Sequence, residues 1–544
     1  MTRDVRGLAD SHFDLIVVGA GFYGALAAWD AVLRGLSVAL IDKGDFGSGT
    51  SFNNFKTLHG GLRSLQSMNL RQMRLFVRER RALARVAPHL VRPMPFVVPT
   101  YAHPLRAAQT MRLALALNDA IARDRHEGIV DSSLRLPPGR VVSRDDCLQL
   151  NPLIDPTGVT GGAIWHDYQM HNTDRMTFSF VKSAAERGAV VANHVQATAL
   201  LRKGPRVEGV RVLDRPSSNQ FDVRGTNVLN ATGAWAASFL DLLGRVTTTP
   251  APRLSRAMNL VTRRVDIAQG CGGRARGRFL FLVPWRDVSI VGTSHDAYGG
   301  AADRVAVAPA DVEAFLADVT EAFPHARLSS SDVRLVHRGL LPMVSGDAQH
   351  VKLLRESTVV DHANDGAAGL ISMFGVRYTT ARHTAAHAVD AVFKRRGNHA
   401  PPASQSDQTP VVGGSIRNKE GFLRAVLLRD VPGVTDETLR RLALTYGTQY
   451  NEVLDLIRDD SSLAAPLGTC CSVTRAEILY AARHESALLL SDALIRRTEA
   501  GSAGHPSDDA VASAAAIMAR ELGWDAARAE RERAEVNDFY RLPS

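Results

Sequence analysis

Residues 14–42 read DLIVVGAGFYGALAAWDAVLRGLSVALID. Leu15–Val18 is a short apolar run bounded by a glycine turn, the signature of a buried strand. Gly19-Ala20-Gly21-Phe22-Tyr23-Gly24 follows, then an alanine-rich helix to about Arg34 that Gly35 closes. Val38–Ile41 is a second strand and ends on Asp42. Strand, glycine turn, helix, strand and then an acid about twenty residues on is the order that a dinucleotide site requires. Gly19 permits the tight turn, Gly21 lets the backbone approach a pyrophosphate, and Gly24 lets the helix pack close to the strand. The pyrophosphate sits on the free amides at the positive end of the helix. Asp42 is placed to accept a hydrogen bond from the adenosine ribose. The turn by itself does not separate NAD from FAD.

The chain has 544 residues, 45% apolar and 22% charged, which fits a globular protein of about two to four domains. The formal net charge is +9 and arginine dominates it, as in RERRALAR at 78–85. No basic run is interleaved with aromatics, so a nucleic-acid partner is not expected. A solvated arginine-rich face is the simplest reading, with an anionic substrate or an acidic membrane surface as alternatives. Cys147, Cys271, Cys470 and Cys471 have neither zinc-ligand nor redox spacing. No metal site is expected, and a reduced, cytoplasmic protein fits. The segment MTRDVRGLADSHFD lacks the apolar core of a signal peptide. No window approaches the roughly eighteen apolar residues of a membrane span. Peripheral contact with the inner face of a membrane remains compatible with the charge.

The spacing predicts helices over 70–86, 113–121, 174–187, 311–323 and 378–394. It predicts a small sheet from 190–195, 199–201 and 207–212, and a strand at 228–230 leading into Thr232-Gly233. Strands are expected at 258–264, 278–285, 288–292, 353–361 and 370–374, with a hairpin across Arg286-Asp287. Residues 137–155 read as loop-rich. A strand that returns to the first sheet so late implies a nested architecture. The fold class is therefore α/β: a dinucleotide-binding domain, 1–397, with an inserted mixed or antiparallel substrate sheet. The Pro/Ser/Gly-rich stretch 398–415 reads as a linker. Residues 416–544 read as an almost wholly helical packing or dimerisation module with breaks near 459–474 and 500–507, so a homodimer is one expectation.

Several motifs occur in a fixed order. They are the glycine turn, Lys56-Thr-Leu-His59-Gly60-Gly61-Leu-Arg63, Ala87-Pro-His-Leu, Asn230-Ala-Thr-Gly-Ala-Trp235, Gly292-Thr293, Phe374-Gly375-Val-Arg-Tyr-Thr379-Thr380 and Tyr480-Ala-Ala-Arg-His484-Glu485. With them the chain resembles the FAD-dependent glycerol-3-phosphate dehydrogenases from about Asp14 to Leu494. The resemblance implies FAD rather than NAD, and hydride transfer from a secondary alcohol such as glycerol 3-phosphate. It implies electrons passed on to quinone at a membrane, or to oxygen. It also implies cofactor contacts at Gly19, Gly21, Gly24, Asp42, Lys43, Ser51, Lys56, His59, Gly60, Val195, Thr232, Gly233, Gly375 and Thr379.

The chain departs from the family pattern in its substrate region. Leu341 stands where the family has the arginine that grips the substrate phosphate, and Arg377 stands where it has lysine. Asn259 replaces a histidine, Ser64 a tyrosine, and the family's GTTD reads Gly292-Thr293-Ser294-His295. Oxidising an alcohol needs a hydride acceptor, a base for the hydroxyl proton and cations for the anionic end. His59 and His295 are the base candidates, since histidine titrates near working pH. Arg63, Arg355 and Arg377 are the cation candidates. The departures leave a different alcohol, hydroxy acid or amine as an alternative substrate. A degenerate flavin-binding scaffold is a further alternative.

Overall fold

The computed structural model describes residues 1–62, 68–244, 247–276, 278–346, 351–397 and 400–541. Among these residues Leu15–Val18 lies inside a six-stranded sheet, between Val38–Ile41 and Val228–Asn230 and parallel to both. Val190–Ala192 extends the sheet on one side. Leu370–Phe374 and the antiparallel edge Thr358–Asp361 extend it on the other. Every residue of Leu15–Val18 is buried, because both faces are covered. Leu15 and Val17 face the helix layer of Phe22–Leu33, Thr173–Glu186 and Ala381–Arg395. Ile16 and Val18 face a four-stranded sheet built from His12–Phe13, Asn219–Gly225, Arg206–Asp214 and Val195–Lys203.

A larger sheet roofs this unit. Its strands run in the order 351–353, 333–346, 253–263, 288–298, 278–285, 270–275, 91–101, 159–170 and 57–58. The pairings are antiparallel except that Gly270–Ala275 runs parallel to Val91–Tyr101. One face packs on helix Pro309–Ala322. The other carries Phe96, Val283, Trp285 and Ile290, which share a core with Ala487, Leu494, Ala514 and Met518 of the C-terminal helices.

Several expectations are corrected here. Residues 190–192 join the six-stranded sheet, not the small one. The stretch 353–361 is two strands in two different sheets, broken at 354–357. The late helix starts at Ala381 with Thr380 as N-cap, several residues after Gly375. Residues 137–155 contain the strand Arg140–Val142 and the helix Arg144–Leu150, which Ser143 caps. In the C-terminal domain the expected break at 459–474 holds a short hairpin, Pro466–Gly468/Cys471–Thr474.

The longest strand pairing between neighbouring roof strands, Val91–Tyr101 with Val159–Met170, has no counterpart in the sequence reading. Pro93, Pro95 and Pro99 interrupt the first of these. They share one parity, so their missing N–H groups fall on one edge, where only Phe96 and Val97 meet a further strand.

The stretch read as a linker is a fixed strap. Ser404 and Ser406 donate to Asp30 Oδ1, Val411 is buried, and the Val412 amide donates to Ser183 Oγ (2.8 Å).

Candidate active site

The glycine turn sits where the strand order reverses, at the carboxyl ends of Leu15–Val18 and Val228–Asn230, which is where open sheets of this kind bind ligands. Gly19 has φ +102°, and a Cβ there would lie 2.6 Å from the Ala231 carbonyl oxygen. A Cβ on Gly24 would fall within the contact radius of the Gly19 carbonyl oxygen. Gly21 is the N-cap of helix Phe22–Leu33 and offers no side-chain cap; Ser51 Oγ accepts from the Phe22 amide instead (2.9 Å). Ser51 therefore stands at the helix end that favours an anion.

Asp42 accepts from the Ala20 amide (2.6 Å) and the Gly44 amide (2.9 Å), and burial raises its pKa. The Val195 amide donates to the Asp42 carbonyl (2.7 Å), so the two loops are laced together. Lys43 Nζ lies 4.3 Å above the Trp235 ring and 2.5 Å from Asp303, to which Trp235 Nε1 also donates (2.7 Å). Thr232 is half-buried and Gly233 exposed along the same groove. Backbone amides, a ribose-accepting carboxylate and glycines that exclude side chains fit an FAD adenosine and pyrophosphate.

Lys56 points elsewhere. It is fully buried, and its Nζ donates to Phe52 O (2.6 Å) and Thr173 Oγ1 (2.8 Å) beneath Trp285. Burial lowers its pKa to about 8. The structure turns this amine inward as a prop for the loop rather than toward the groove.

The second end of the groove is built around His59. Its amide donates to Thr379 Oγ1 (3.1 Å), which joins the His59-Gly60-Gly61 turn to the 375–380 segment. Its side chain is 48% exposed, and Nδ1 lies 3.5 Å from Asp167 Oδ2. Asp167 also accepts from the Gly60 amide (2.7 Å), from Arg80, and from Trp165 Nε1 (3.3 Å). Burial alone would raise the Asp167 carboxyl, but His59 and Arg80 hold it below its ordinary value. A Cβ on Gly60 would meet the Arg80 guanidinium, so glycine lets this cluster close.

Arg377 is exposed with its guanidinium 5.3 Å from the Phe76 ring centre. Arg355 is exposed, and its carbonyl accepts from Gln72 Nε2 (2.7 Å). Gln72 and Phe76 are about one turn apart on helix Leu70–Val86, so the Arg355 backbone and the Arg377 guanidinium meet one stretch of that helix. Arg63 and Ser64 lie outside the described residues.

His295 is on the roof, in register with Ala257, which also pairs with Gly339. A Cβ on Gly339 would lie 3.1 Å from Thr50, so that face looks onto the loop after the second strand. Asn259 is in register with His337 and accepts from Thr293 Oγ1 (2.6 Å). His295 lies on the roof strand Val288–Tyr298, whereas His59 lies in the turn after Thr57–Leu58.

Sequence reading missed Asp167, Arg80 and Tyr23. The Tyr23 phenol oxygen accepts from the Val376 (3.1 Å) and Arg377 (3.0 Å) amides and donates to the Arg377 carbonyl (2.8 Å). These amides are thus tied to the glycine-turn helix. A Cβ on Gly375 would lie 2.5 Å from the Tyr23 ring, the reason glycine stands there.

Strand order, switch-point turn, terminal acid and roofing sheet together define a flavoprotein of the two-sheet oxidoreductase type. The family described as FAD dependent oxidoreductase matches residues 14–385, and the C-terminal domain of alpha-glycerophosphate oxidase matches residues 404–529. The chain is 31% identical over 540 residues to glycerol-3-phosphate dehydrogenase 2 of Mycobacterium tuberculosis, covering 97% of this chain and 88% of that protein. It is 28% identical over 521 residues to the glycerol-3-phosphate dehydrogenase of Synechocystis, covering 91% and 90%. The fold matches the Bacillus halodurans glycerol-3-phosphate dehydrogenase complexed with FAD, with a TM-score of 0.78, 23% identity, and coverage of 98% and 96%. The chain belongs to the FAD-dependent oxidoreductase family, in its glycerol-3-phosphate dehydrogenase branch, and FAD is its cofactor. No helix among the described residues is long and apolar enough to cross a membrane.

Proposed function

We propose that this enzyme oxidises glycerol 3-phosphate, or a closely related polyol phosphate, at its secondary alcohol. The observation that supports this most is the His59–Asp167 pair, whose turn is bonded through the His59 amide to Thr379, two residues after Arg377. Bound FAD supplies the hydride acceptor. His59 takes the hydroxyl proton at Nε2, and Asp167 orients the ring through Nδ1–H. The 3.5 Å separation tightens when substrate fills the groove. Arg377 and Arg355 hold the phosphate in place of the guanidinium that Leu341 lacks; arginine suits this because its fork matches phosphate oxygens. Leu341 favours a second reading, a substrate without phosphate, because it places an uncharged side chain on the roof strand.

Anaerobic flavin bleaching tests both readings. Bleaching by glycerol 3-phosphate at a catalytic rate supports the first. Bleaching by glycerol or small hydroxy and amino acids alone supports the second. Arg377→Ala should raise KM for glycerol 3-phosphate about tenfold or more, as expected for a lost charge-assisted hydrogen bond, with little change in flavin content.

We further propose quinone in an anionic bilayer as the electron acceptor, in preference to oxygen, with the enzyme bound peripherally to the inner face of the cytoplasmic membrane. Helix Ala108–Ile121 buries only Leu115. Its outer face, Gln109, Arg112, Leu113, Ala116 and Ala120, carries no acid. Leu113 is 72% exposed and Leu105, just before the helix, 76% exposed. Apolar side chains flanked by arginines suit an anionic interface. Leu105→Asp/Leu113→Asp should abolish co-sedimentation with phosphatidylglycerol vesicles and leave anaerobic bleaching intact. Equal recovery of parent and variant in the supernatant, with peroxide formed in air, would favour oxygen.

A further inference from the structure

The loops that flank the adenosine end of the groove are gripped from behind by the C-terminal domain. Asp45, three residues after Asp42, is fully buried against two consecutive arginines. It accepts from Arg496 Nε (2.6 Å), from Arg497 Nη1 (2.8 Å) and Nη2 (2.6 Å), and from Asn193 Nδ2 (2.9 Å). His194, just before Val195, places Nε2 2.9 Å from Asp492 Oδ2, and Arg496 holds the other Asp492 oxygen (2.7 Å). Asp492, Arg496 and Arg497 belong to one π-helical segment, Asp492–Arg497, whose wider turn presents all three to the two loops. The His194 amide in turn donates to the Gly44 carbonyl (2.8 Å).

Asp45, His194 and Asp492 could pass for a metal-ligand set, since their donor atoms lie within 4.8 Å of one another. Two guanidiniums already neutralise the two carboxylates there, and the paired acids hold His194 above its ordinary pKa against the effect of burial. A dication would add charge to a centre that is already balanced, so the metal reading fails.

A buried ion network is poor evidence for stability, because apolar residues of similar volume often serve as well. What it does supply is fixed geometry: bidentate, fully desolvated pairs tolerate little displacement. We propose that Asp492, Arg496 and Arg497 are positioning residues for the cofactor. Through Asp45 and His194 they set the spacing of the loops that carry Asp42, Lys43 and Val195, and so the affinity for the adenosine half of FAD. The C-terminal domain, which has no glycine-rich phosphate loop of its own, thereby completes the cofactor site from outside it.

The test compares two buried clasps on the same interface. Arg175 and Glu485 form a second bidentate pair between the domains (2.6 and 2.6 Å); the Glu485 carbonyl, which Glu485→Gln keeps, accepts from Arg497 Nε (3.0 Å). Full-length apoprotein of the parent, Arg497→Met and Glu485→Gln would be titrated with FAD and with ADP, and their melting temperatures recorded. Arg497→Met should bind both ligands about tenfold more weakly or worse. Arg497→Lys, which keeps the charge without the fork, should fall between it and the parent. Glu485→Gln should lower the melting temperature while leaving both affinities within about twofold of the parent. Equal loss of affinity in Arg497→Met and Glu485→Gln, or no loss in either, would overturn the proposal and leave the network a domain clasp only. If Arg497→Met does not fold, Arg497→Lys and Arg496→Lys decide the question by the same comparison.

Discussion

Gly24→Ala should give protein that carries almost no flavin and melts well below the parent. The added methyl meets the Gly19 carbonyl oxygen and would lie 3.3 Å from Ala231 Cβ. Neither can retreat. Gly19 is itself in the left-handed region and pressed against the Ala231 backbone. Overpacking a tight interior site costs about 1–3 kcal/mol or more, and here it also displaces the turn that receives the pyrophosphate. The companion change, Gly21→Ala, makes the distinction clear. Among the described residues beyond its chain neighbours, its new Cβ would meet Ser51 Oγ at 3.2 Å, the end of a small side chain. Gly21→Ala should therefore fold with a near-parental melting point as apoprotein, yet bind FAD weakly because the methyl stands between backbone and phosphate. The flavin-to-protein absorbance ratio and apoprotein melting curves check both. Full flavin content in Gly24→Ala would sink the assignment of this turn to the pyrophosphate.

The second large effect is expected from Asp167→Asn. The carboxylate is ionised at neutral pH, since its contacts with His59 and Arg80 hold its pKa low. It therefore favours the His59 tautomer with the proton on Nδ1, leaving Nε2 as a base. An asparagine amide turned toward His59 donates instead, moves the proton to Nε2 and removes the base. The anaerobic rate of flavin reduction should fall about 10²–10⁴-fold, the usual worth of a positioned general base. KM should change little, because Arg377 and Arg355 do not move. His59→Gln should fall as far, and the double variant no further, since the two act as a unit. Retained flavin absorbance separates this loss from unfolding around Arg80. A reduction rate within about twofold of the parent would shift the base to another group, with His295 next in line.

The glycine turn and Asp42 are legible in the sequence because backbone constraint admits few residue types at those positions. Gly19 needs a positive φ, and Gly24 needs an absent side chain. Their spacing is local and survives without knowledge of the tertiary fold. Asp167 has no such signature. It is one carboxylate in a strand of Trp, His and Tyr, and it gains meaning only through Gly60, 107 residues earlier, and Arg80, 87 residues earlier. The Val91–Tyr101 strand is hidden for a different reason: three prolines argue against a ladder unless one knows that their edge is mostly unpaired. The strap at 400–415 has linker composition, and the buried groups it meets, Asp30 and Ser183 among them, make it a fixed part. The Lys56 amine, expected at the cofactor from its place in the motif, donates to the Phe52 carbonyl (2.6 Å) and Thr173 Oγ1 (2.8 Å), contacts that local spacing does not encode.

The nested strand order also governs how this chain is made. The Leu15–Val18 strand leaves the ribosome well before one of its two sheet partners, Val228–Asn230, which follows roughly two hundred residues later. At cellular translation speeds of about 5–20 residues per second that is a wait of roughly ten to forty seconds. Throughout it, an apolar strand already paired on its Val38–Ile41 side keeps its opposite edge bare. When Val228–Asn230 arrives the bare edge merely moves outward, until Leu370–Phe374 is synthesised and the Thr358–Asp361 strand can close the sheet. Any nascent chain stalled before that point presents a ready template for pairing with another copy, so holding chaperones and uninterrupted translation bear directly on the yield of this enzyme.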